Sequence, residues 1–555
     1  MKTQIYILSL LFFTFSLSYS QTVYEPVTSD VYPYLDKMAQ KGLIEFNDLI
    51  KPLSRNYIYQ KLEELTAKRK SISEVDKKEL KFWLKDYGFE KTLDNGKLRM
   101  ENGQSQNEKI SSSSWFKDKW GRYRLYSYSS KLFKVNLDPI FGYDIGSRDG
   151  EKRTHFWNGL YFYGYLGEHL GFSFSFRDNS ETGNTIDRTK AFTPVTGIVT
   201  SKAGSNNIQY GEVQTSIAYD WSWGSISVGK DYLEWGYASS GKIVLSNKAP
   251  TYPYIRLDIR PTKWMSFNYI HAWLSSDVID SSASYSTLRP TQDRIIYRNK
   301  YLASHTLTLF PGKGISFALG ESVIYSDKLE LAYLFPLMFF READHYLSKN
   351  NNNAGANSQF FFNVSSRNNI PNTHLYGTLY IDEIAIADLF NASRSRNQIA
   401  FTLGSSVTDL PINNLTFKLE FTKLFPFVYR HYIPTQTYEN HGYVLGHWIQ
   451  HNADLVYASL NYRIIRGLQA TVWAEYIRKG GDGVVDDQYT RPSKPFLFGL
   501  RKNYTNWGFE AKYQITHQLF ARLKYQSYYS SIQQSDLSFV DKRFSDFSVA
   551  LFYGL

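Results

Sequence analysis

The sequence contains no cysteine, which excludes disulfide bonds, thiolate chemistry and cysteine-based metal sites. It also lacks long apolar runs beyond residue 20, where no stretch reaches the ~20 residues that a membrane-spanning helix needs. If this chain is integral to a membrane, it must form a closed β-barrel, because every backbone polar group within a bilayer has to be paired.

Sequence motifs of the common catalytic sites are missing as well. There is no Gly-x-Ser-x-Gly elbow, no Walker loop and no dinucleotide-binding fingerprint. His447 and His451 have the spacing of a zinc-binding helix, but they lack the glutamate that would act as a base, and they lie in a region of strands and loops. We therefore predict a protein that is not an enzyme, with no catalytic residues, no metal site and no cofactor.

The N-terminus has the pattern of a secretion signal. Lys2 supplies the positive charge, residues 5–17 form the apolar stretch, and Ser18-Tyr19-Ser20 before Gln21 matches the small-residue pattern of a cleavage site. We predict a signal peptide over residues 1–20 and an exported mature chain.

From about residue 122 to Leu555, apolar and polar residues alternate within segments that turn-rich stretches separate. One example is the apolar row Leu415, Phe417 and Leu419, which is interleaved with Thr416, Lys418 and Glu420. A period of two predicts strands, and an apolar face opposite a charged face predicts lipid outside and water inside. Aromatic residues, at 17% of the chain, suit the girdles at the two bilayer interfaces.

The predicted fold is an all-β transmembrane protein, an antiparallel outer-membrane β-barrel of roughly 16–18 strands over residues 116–555. A soluble two-sheet sandwich is the alternative fold. Tight turns are expected near residues 261–263, 466–467 and 516–518. Long loops are expected over 178–206, 275–298, 343–371, 429–452 and 479–502.

Residues 21–115 show helical rather than strand spacing. Val31 to Gln40 is a predicted helix, and Ser54 and Ser73 are predicted N-caps of two more. The Ser-rich stretch 102–114 is a predicted linker. We therefore expect a small helical domain and linker before the barrel, on the periplasmic side of the outer membrane.

The formal net charge is +11. In an exported protein without nucleic-acid motifs, this basic balance favours anionic lipid head groups or an acidic glycan over nucleic acid as the partner. Sugars present apolar C–H faces that stack on aromatic rings, and hydroxyl groups that need polar partners. The loop over 429–452 mixes both kinds of side chain, and its candidate polysaccharide-binding residues are Tyr429, His431, Tyr438 and Trp448.

The stretch 229–236, Gly-Lys-Asp-Tyr-Leu-Glu-Trp-Gly, leads to Leu-Ser-Asn-Lys-Ala-Pro at 245–250. This pair of motifs resembles the Wzi family of outer-membrane capsule-assembly proteins. Residues 34–55 and 333–341 carry weaker pieces of the same resemblance. The chain departs from the family at Tyr237-Ala238, where many members have Pro-Gly.

The resemblance implies a barrel of about eighteen strands above a periplasmic helical bundle. It also implies a lectin-like, non-catalytic role in holding exported capsular polysaccharide at the cell surface. Within the motif, Asp231, Trp235 and Asn247 become candidate polysaccharide-binding residues. The implied partners are surface or capsular polysaccharide, outer-membrane lipid and lipopolysaccharide, and the capsule-export machinery.

Two other functions stay open at this point. An outer-membrane channel or transporter for glycan or small solutes would need an unplugged lumen. A lipase or glycan hydrolase on a barrel would need a converged Ser/His pair or two carboxylates on neighbouring strands. Every water-filled barrel has charged residues that face the lumen, as Glu475, Glu510 and Lys524 are expected to do here. Their presence in the sequence therefore does not distinguish between these functions.

Overall fold

The structure is a computed structural model that describes residues 21–93, 111–289, 291–351, 355–383 and 397–554. The predicted signal peptide and most of the predicted linker lie outside the described residues. Within the described part of the chain, no helix is long and apolar enough to cross a membrane.

Eighteen antiparallel strands form a closed barrel, in which each strand pairs with the next and the last pairs with the first. This confirms the predicted fold class and the upper value of the predicted strand count. The strands are β1 (Phe133–Arg148), β2 (Glu151–Leu166), β3 (Leu170–Thr182), β4 (Asn207–Trp221), β5 (Gly224–Asp231), β6 (Tyr252–Thr262), β7 (Met265–Ile279), β8 (Tyr297–Gly312), β9 (Ile315–Ser326), β10 (Asn357–Arg367), β11 (Thr373–Glu383), β12 (Gln398–Thr408), β13 (Leu415–Leu424), β14 (Ala453–Ile465), β15 (Leu468–Lys479), β16 (Lys502–Gln514), β17 (Leu519–Gln533) and β18 (Phe539–Tyr553).

The alternation along the strands has the predicted sense. In β13, Phe417 and Leu419 are exposed on the outer surface, whereas Glu420 is buried in the lumen. The same holds in β18, where Phe547, Val549 and Leu551 are all exposed. An outer apolar belt around a polar interior is the arrangement of a membrane-spanning barrel.

The two ends of the barrel differ. At one end, called the short-turn end, tight connections such as residues 263–264, 313–314 and 466–467 join the strands. Most connections at the other end, called the long-loop end, are long. The predicted loop over 343–371 is wrong in part, because β10 occupies Asn357–Arg367. The phenylalanines of β10 follow an Asn-rich stretch, and because that stretch is typical of a loop, the strand was included in the predicted loop.

The helical region consists of α1 (Val31–Gln40), α2 (Arg55–Ala67) and α3 (Glu74–Asp86), and residues 88–93 are also helical. The predicted caps are confirmed. The Ser54 hydroxyl accepts the Tyr57 N–H and the Ser73 hydroxyl accepts the Asp76 N–H, so each side chain satisfies one of the free backbone donors in the first turn.

This helical region covers the short-turn end of the barrel. Lys37 Nζ donates to Asn414 Oδ1 at 2.7 Å, and Glu79 Oε1 accepts the Gly467 N–H at 2.7 Å. Further contacts join Thr22 to Asp220, Asp48 to Arg367, and Asp86 to His517. The contacts are spread around the ring of strands, so the helical region forms a floor beneath the lumen.

Smaller elements complete the fold. Two helices, α4 (Leu331–Leu334) and α5 (Phe340–Asn351), lie between β9 and β10. A hairpin of Ser111–Trp115 and Tyr126–Ser130 pairs with β1, and Thr200–Ala203 pairs with β4. Short strand pairs are Ile50–Lys51 with Glu234–Trp235, Tyr285–Ser286 with Asp293–Arg294, and Glu439–Asn440 with Tyr443–Val444; 3-10 turns are Arg69–Ser71, Pro434–Gln436 and Val485–Tyr489.

Candidate functional site in the barrel lumen

Loop 232–251, which follows β5, folds into the lumen and meets the floor there. Its Glu234–Trp235 segment pairs with Ile50–Lys51 of the helical region. The Gly236 N–H donates to Leu49 O at 2.9 Å. Gly236 has φ +132°, a conformation that side-chain-bearing residues rarely adopt. The Trp-Gly motif therefore joins a loop from the long-loop end to the floor.

Loop 425–452, which follows β13, enters the lumen beside it. Tyr429 Oη donates to Ile243 O at 2.6 Å and Tyr438 Oη donates to Val244 O at 3.0 Å. The Ser246 N–H donates to Leu445 O at 2.8 Å. Each of these bonds between the loops satisfies a main-chain carbonyl group that would otherwise be buried without a partner.

Apolar side chains of both loops pack against the inward residues of the neighbouring strands. The buried cluster includes Leu233, Trp235, Val244, Leu445, Ile449, Tyr254, Ile270, Leu302, Ile324 and Phe361. A carboxylate on β13 fixes the loop from the side, since Glu420 accepts the N–H groups of Ser239 and Ser240 at 2.7 and 2.8 Å. The half of the lumen beside β6–β13 is thus filled with packed protein.

Lys248 attaches loop 232–251 to loop 183–206. Its ammonium group donates to the carbonyl oxygens of Thr193 at 3.0 Å, Val195 at 2.8 Å, and Lys190. The side chain is 2% exposed, and burial lowers its pKa to about 8. This lysine replaces its lost hydration with three carbonyl oxygens.

The other half of the lumen contains a cavity of about 1050 Å³. The helical region lines its lower end, and residues 186–198 line its upper end. Its aromatic lining includes Trp157, Phe192, Trp448, Tyr457, Trp473 and Tyr528. A volume of this size, with mixed aromatic and polar walls, is typical of a ligand site.

Many charged side chains in the cavity wall are arranged in ion pairs. Asp546 accepts from Arg148 at 2.9 Å and from Arg153 at 2.5 Å. Arg522 donates to Asp144 at 3.0 Å. Arg177 also pairs with Glu212, and Lys512 with Asp30. The wall therefore offers many donors and acceptors while its net charge stays balanced.

The sequence-predicted site residues divide into two groups. Trp235, Tyr429 and Tyr438 are almost fully buried in the packing between the loops. Their positions favour a role in packing over direct contact with a ligand, and their binding role stays a prediction.

The other four have different surroundings. Trp448 and Asn247 line the cavity, although the Trp448 indole N–H is used by Ser240 O at 2.7 Å. Asp231 accepts the N–H of Tyr232 at 2.7 Å, which gives its carboxylate a local structural partner. Burial lowers the pKa of His431 to about 4, so its ring is neutral at pH 7.

The two histidines with the spacing of a zinc site, His447 and His451, accept hydrogen bonds from backbone N–H groups. His447 Nδ1 accepts the Ile449 N–H, and His451 Nδ1 accepts the Phe427 N–H. Among the described residues, no cluster of three or more His, Asp or Glu side chains has the geometry to hold a metal ion.

Sequence reasoning missed most of the cavity wall. Trp157, Arg153 and Asp546 lie at inward positions of β2 and β18, where the alternation marks them as lumen residues without indicating that they meet. Their convergence depends on the register of strands that are distant in the sequence.

Comparisons with known proteins identify one family model and several solved structures that are similar to this chain. A protein-family model described as "Capsule assembly protein Wzi" matches residues 135–540. The solved structure of Escherichia coli Wzi, described as a carbohydrate-binding β-barrel involved in group 1 capsule assembly, is similar with a TM-score of 0.55 at 12% identity over 97% of this chain and 100% of that one. Pseudomonas aeruginosa OprD is similar with a TM-score of 0.42 at 12% identity over 81% of this chain and 99% of that one. A comparison with curated proteins finds no match.

Proposed function

Because the chain belongs to the Wzi family of capsule assembly proteins and is an outer-membrane β-barrel, we propose that it binds exported capsular or other surface polysaccharide. In this role it helps to attach or assemble the polymer at the cell surface, in a lectin-like manner and without catalysis. The E. coli Wzi barrel, described as carbohydrate-binding, supports the same role.

The observation that carries the proposal is the aromatic and ion-paired cavity in a lumen that is otherwise filled. Trp157, Trp473 and Tyr528 offer ring faces for the apolar side of a sugar. Arg153 and Asp546 offer donors and acceptors to its hydroxyl groups. A half-filled lumen above a floor favours retention of a polymer segment over free passage of solute.

The proposed orientation places the helical region on the periplasmic side and the long loops outside, as in other outer-membrane barrels. Lipid and lipopolysaccharide then surround the apolar belt. The helical floor is the surface that faces the capsule-export machinery, which we propose as a further partner.

The test is binding of the purified, detergent-folded chain to the surface polysaccharide of its own cell, with conductance in a planar bilayer measured in parallel. We expect saturable binding and little conductance. Steady conductance without binding would favour the channel instead. Loss of binding with rising salt would indicate an acidic polymer, because salt screens exposed charge pairs.

A substitution in the cavity wall tests whether the cavity is the polysaccharide-binding site. Trp473→Ala removes a ring from the cavity wall, and we expect a loss of about 1.4 kcal/mol, which is tenfold in affinity. Trp264→Ala is the matched control, because Trp264 lies exposed in a turn at the short-turn end. Equal binding by both variants would show that the cavity is not the polysaccharide-binding site.

A further inference from the structure

Strand β9 carries an acidic residue on its outer face. Phe317 and Leu319 are exposed to the outside, and alternation places Glu321 on the same side. Across the neighbouring strands Glu321 pairs with His305 of β8 and with Phe360 of β10. A carboxylate facing hydrocarbon is costly. Glu321 is nevertheless only 3% exposed, so something covers it.

The cover is the segment 331–351, called the flap, which contains α4 and α5. The Glu321 carboxylate accepts the N–H groups of Phe340 and Arg341 at 2.9 and 2.7 Å, and so caps the first turn of α5. Two strands away on the same row of the ladder, Tyr269 Oη donates to Tyr333 O at 2.8 Å. These bonds hold the flap against the outer surface of β7–β9.

The flap has two different faces. Tyr333, Phe340 and Ala343 are buried against Tyr269, Tyr301, Val323 and Tyr325, which are outward-facing wall residues. Large apolar side chains are exposed on the other face, mostly ahead of α5: Leu331 at 76%, Phe335 at 57%, Leu337 at 73%, Phe339 at 50% and Tyr346 at 70%. The exposed side of α5 itself also carries charged residues, Arg341, Glu342 and Lys349. An exposed apolar patch of this kind marks an interaction surface.

This exposed face continues the lipid-facing belt of the barrel. The Phe339 ring lies 6.1 Å from that of Phe360 on β10. Farther along the same outer face of β10, Phe362 and Val364 are exposed, as is Leu319 on β9. The flap thus stands where the apolar belt would otherwise be interrupted by Glu321 and His305.

We propose that the first part of the flap, residues 331–340, is embedded in the membrane, with its exposed apolar side chains against the acyl chains in the half of the bilayer nearest the long loops, and that the exposed charged side chains of α5 reach the head groups. It seals the Glu321–His305 pair from lipid and replaces that polar patch with an apolar surface. The occupant of the exposed face is membrane lipid, whatever the lumen binds.

The absence of native cysteine permits a direct test with spin labels on single cysteines. The variants are Leu337→Cys in the flap, Leu319→Cys in the belt and Leu288→Cys in the exposed loop 280–296. Each labelled full-length chain is folded into dioleoylphosphatidylcholine vesicles. Collisions are measured with oxygen, which concentrates in the bilayer, and with a water-soluble nickel chelate.

We expect the Leu337→Cys label to behave as the Leu319→Cys label does, with frequent oxygen collisions and loss of nickel collisions. Nickel collisions as frequent as those of Leu288→Cys would overturn the proposal. Heat-dependent gel mobility shows that each variant is folded, so a misfolded variant is recognised and replaced by Phe335→Cys.

A second variant tests what holds the flap. Glu321→Ala in the Leu337→Cys background removes the cap of α5, and we expect the label to gain motion and nickel collisions. Glu342→Ala is the control, since it removes an exposed carboxylate from the same helix. If both substitutions leave the label unchanged, Glu321 does not fix the flap.

Discussion

Lys248 shows how a single buried charge is accommodated. Its pKa of about 8 lies below the 10.5 of an ordinary lysine, because burial disfavours the charged form. Between these two pH values the unfolded chain binds more protons than the folded one. Stability therefore rises with pH in this window, and the charged side chain opposes folding below pH 8.

We predict that wild type gains stability relative to Lys248→Met as the pH rises from about 8 to 10.5, by an amount on the order of 3 kcal/mol. Hydrogen exchange of the amides in residues 183–206 measures it, since Lys248 binds carbonyl groups in that loop. Lys313→Met, in an exposed turn, controls for general lysine titration. Parallel profiles for wild type and Lys248→Met would contradict the prediction.

Residue roles were predictable from sequence where the cause is local. Ser54 and Ser73 cap helices because of residues a few positions away, and both predictions are confirmed. Trp235 and Tyr438 are different, because their burial results from two loops that meet across the lumen. Local pattern cannot distinguish an aromatic residue that faces a ligand from one that packs beneath a loop.

At the scale of elements, the two loops inside the barrel depend on side-chain hydroxyl groups. Tyr429 and Tyr438 donate to consecutive carbonyl oxygens, those of Ile243 and Val244. Each carbonyl that loses its buried partner costs roughly 1–3 kcal/mol. These two bonds therefore contribute to closing loop 232–251 against loop 425–452.

We predict that Tyr429→Phe combined with Tyr438→Phe loosens both loops while the barrel remains intact. The expected readout is more frequent opening events in planar-bilayer recordings, with faster exchange of amides in residues 232–251. Tyr432→Phe, at an exposed position of the same loop, should match wild type. The prediction fails if the double variant shows no more opening events than the Tyr432→Phe control.

The strands and their alternation were predictable, because a membrane barrel repeats the same constraint along every strand. The inward folding of the loops was not, since it follows from contacts such as Glu420 with Ser239 that no sequence period encodes. The cap of the flap by Glu321 left a faint sequence signal, namely one carboxylate within an apolar strand face.

At the scale of the whole molecule, one side of the lumen is filled, the other side contains the cavity, and the helical floor lies beneath both. Packed loops fill the side of β6–β13, and the cavity occupies the other. The helical region contacts strand ends and turns around the ring, including those at Asn414, Gly467 and His517. The floor is thus a second barrier to solute, separate from the loops.

We predict that deleting residues 21–93 converts the chain into a conducting barrel, because the cavity then opens at the short-turn end. Conductance in a planar bilayer measures this, and gel mobility checks folding. If the deletion does not fold, Lys37→Ala with Glu79→Ala loosens the same floor and should raise conductance noise. A folded deletion variant without conductance would show that the loops alone close the lumen.

Loop 232–251 makes contacts at both ends of the barrel and so connects them. Lys248 holds the carbonyl oxygens of loop 183–206 at the top, and Gly236 holds Leu49 of the floor at the bottom. If the chain binds a surface polymer as we propose, flow outside the cell would load the upper loops, and loop 232–251 would transmit the tension to the floor and from there to the strand ends. The resistance of the molecule to such a load would then rest on a few buried hydrogen bonds, namely those that Lys248 donates to the loop carbonyl oxygens and the one that Gly236 donates to Leu49.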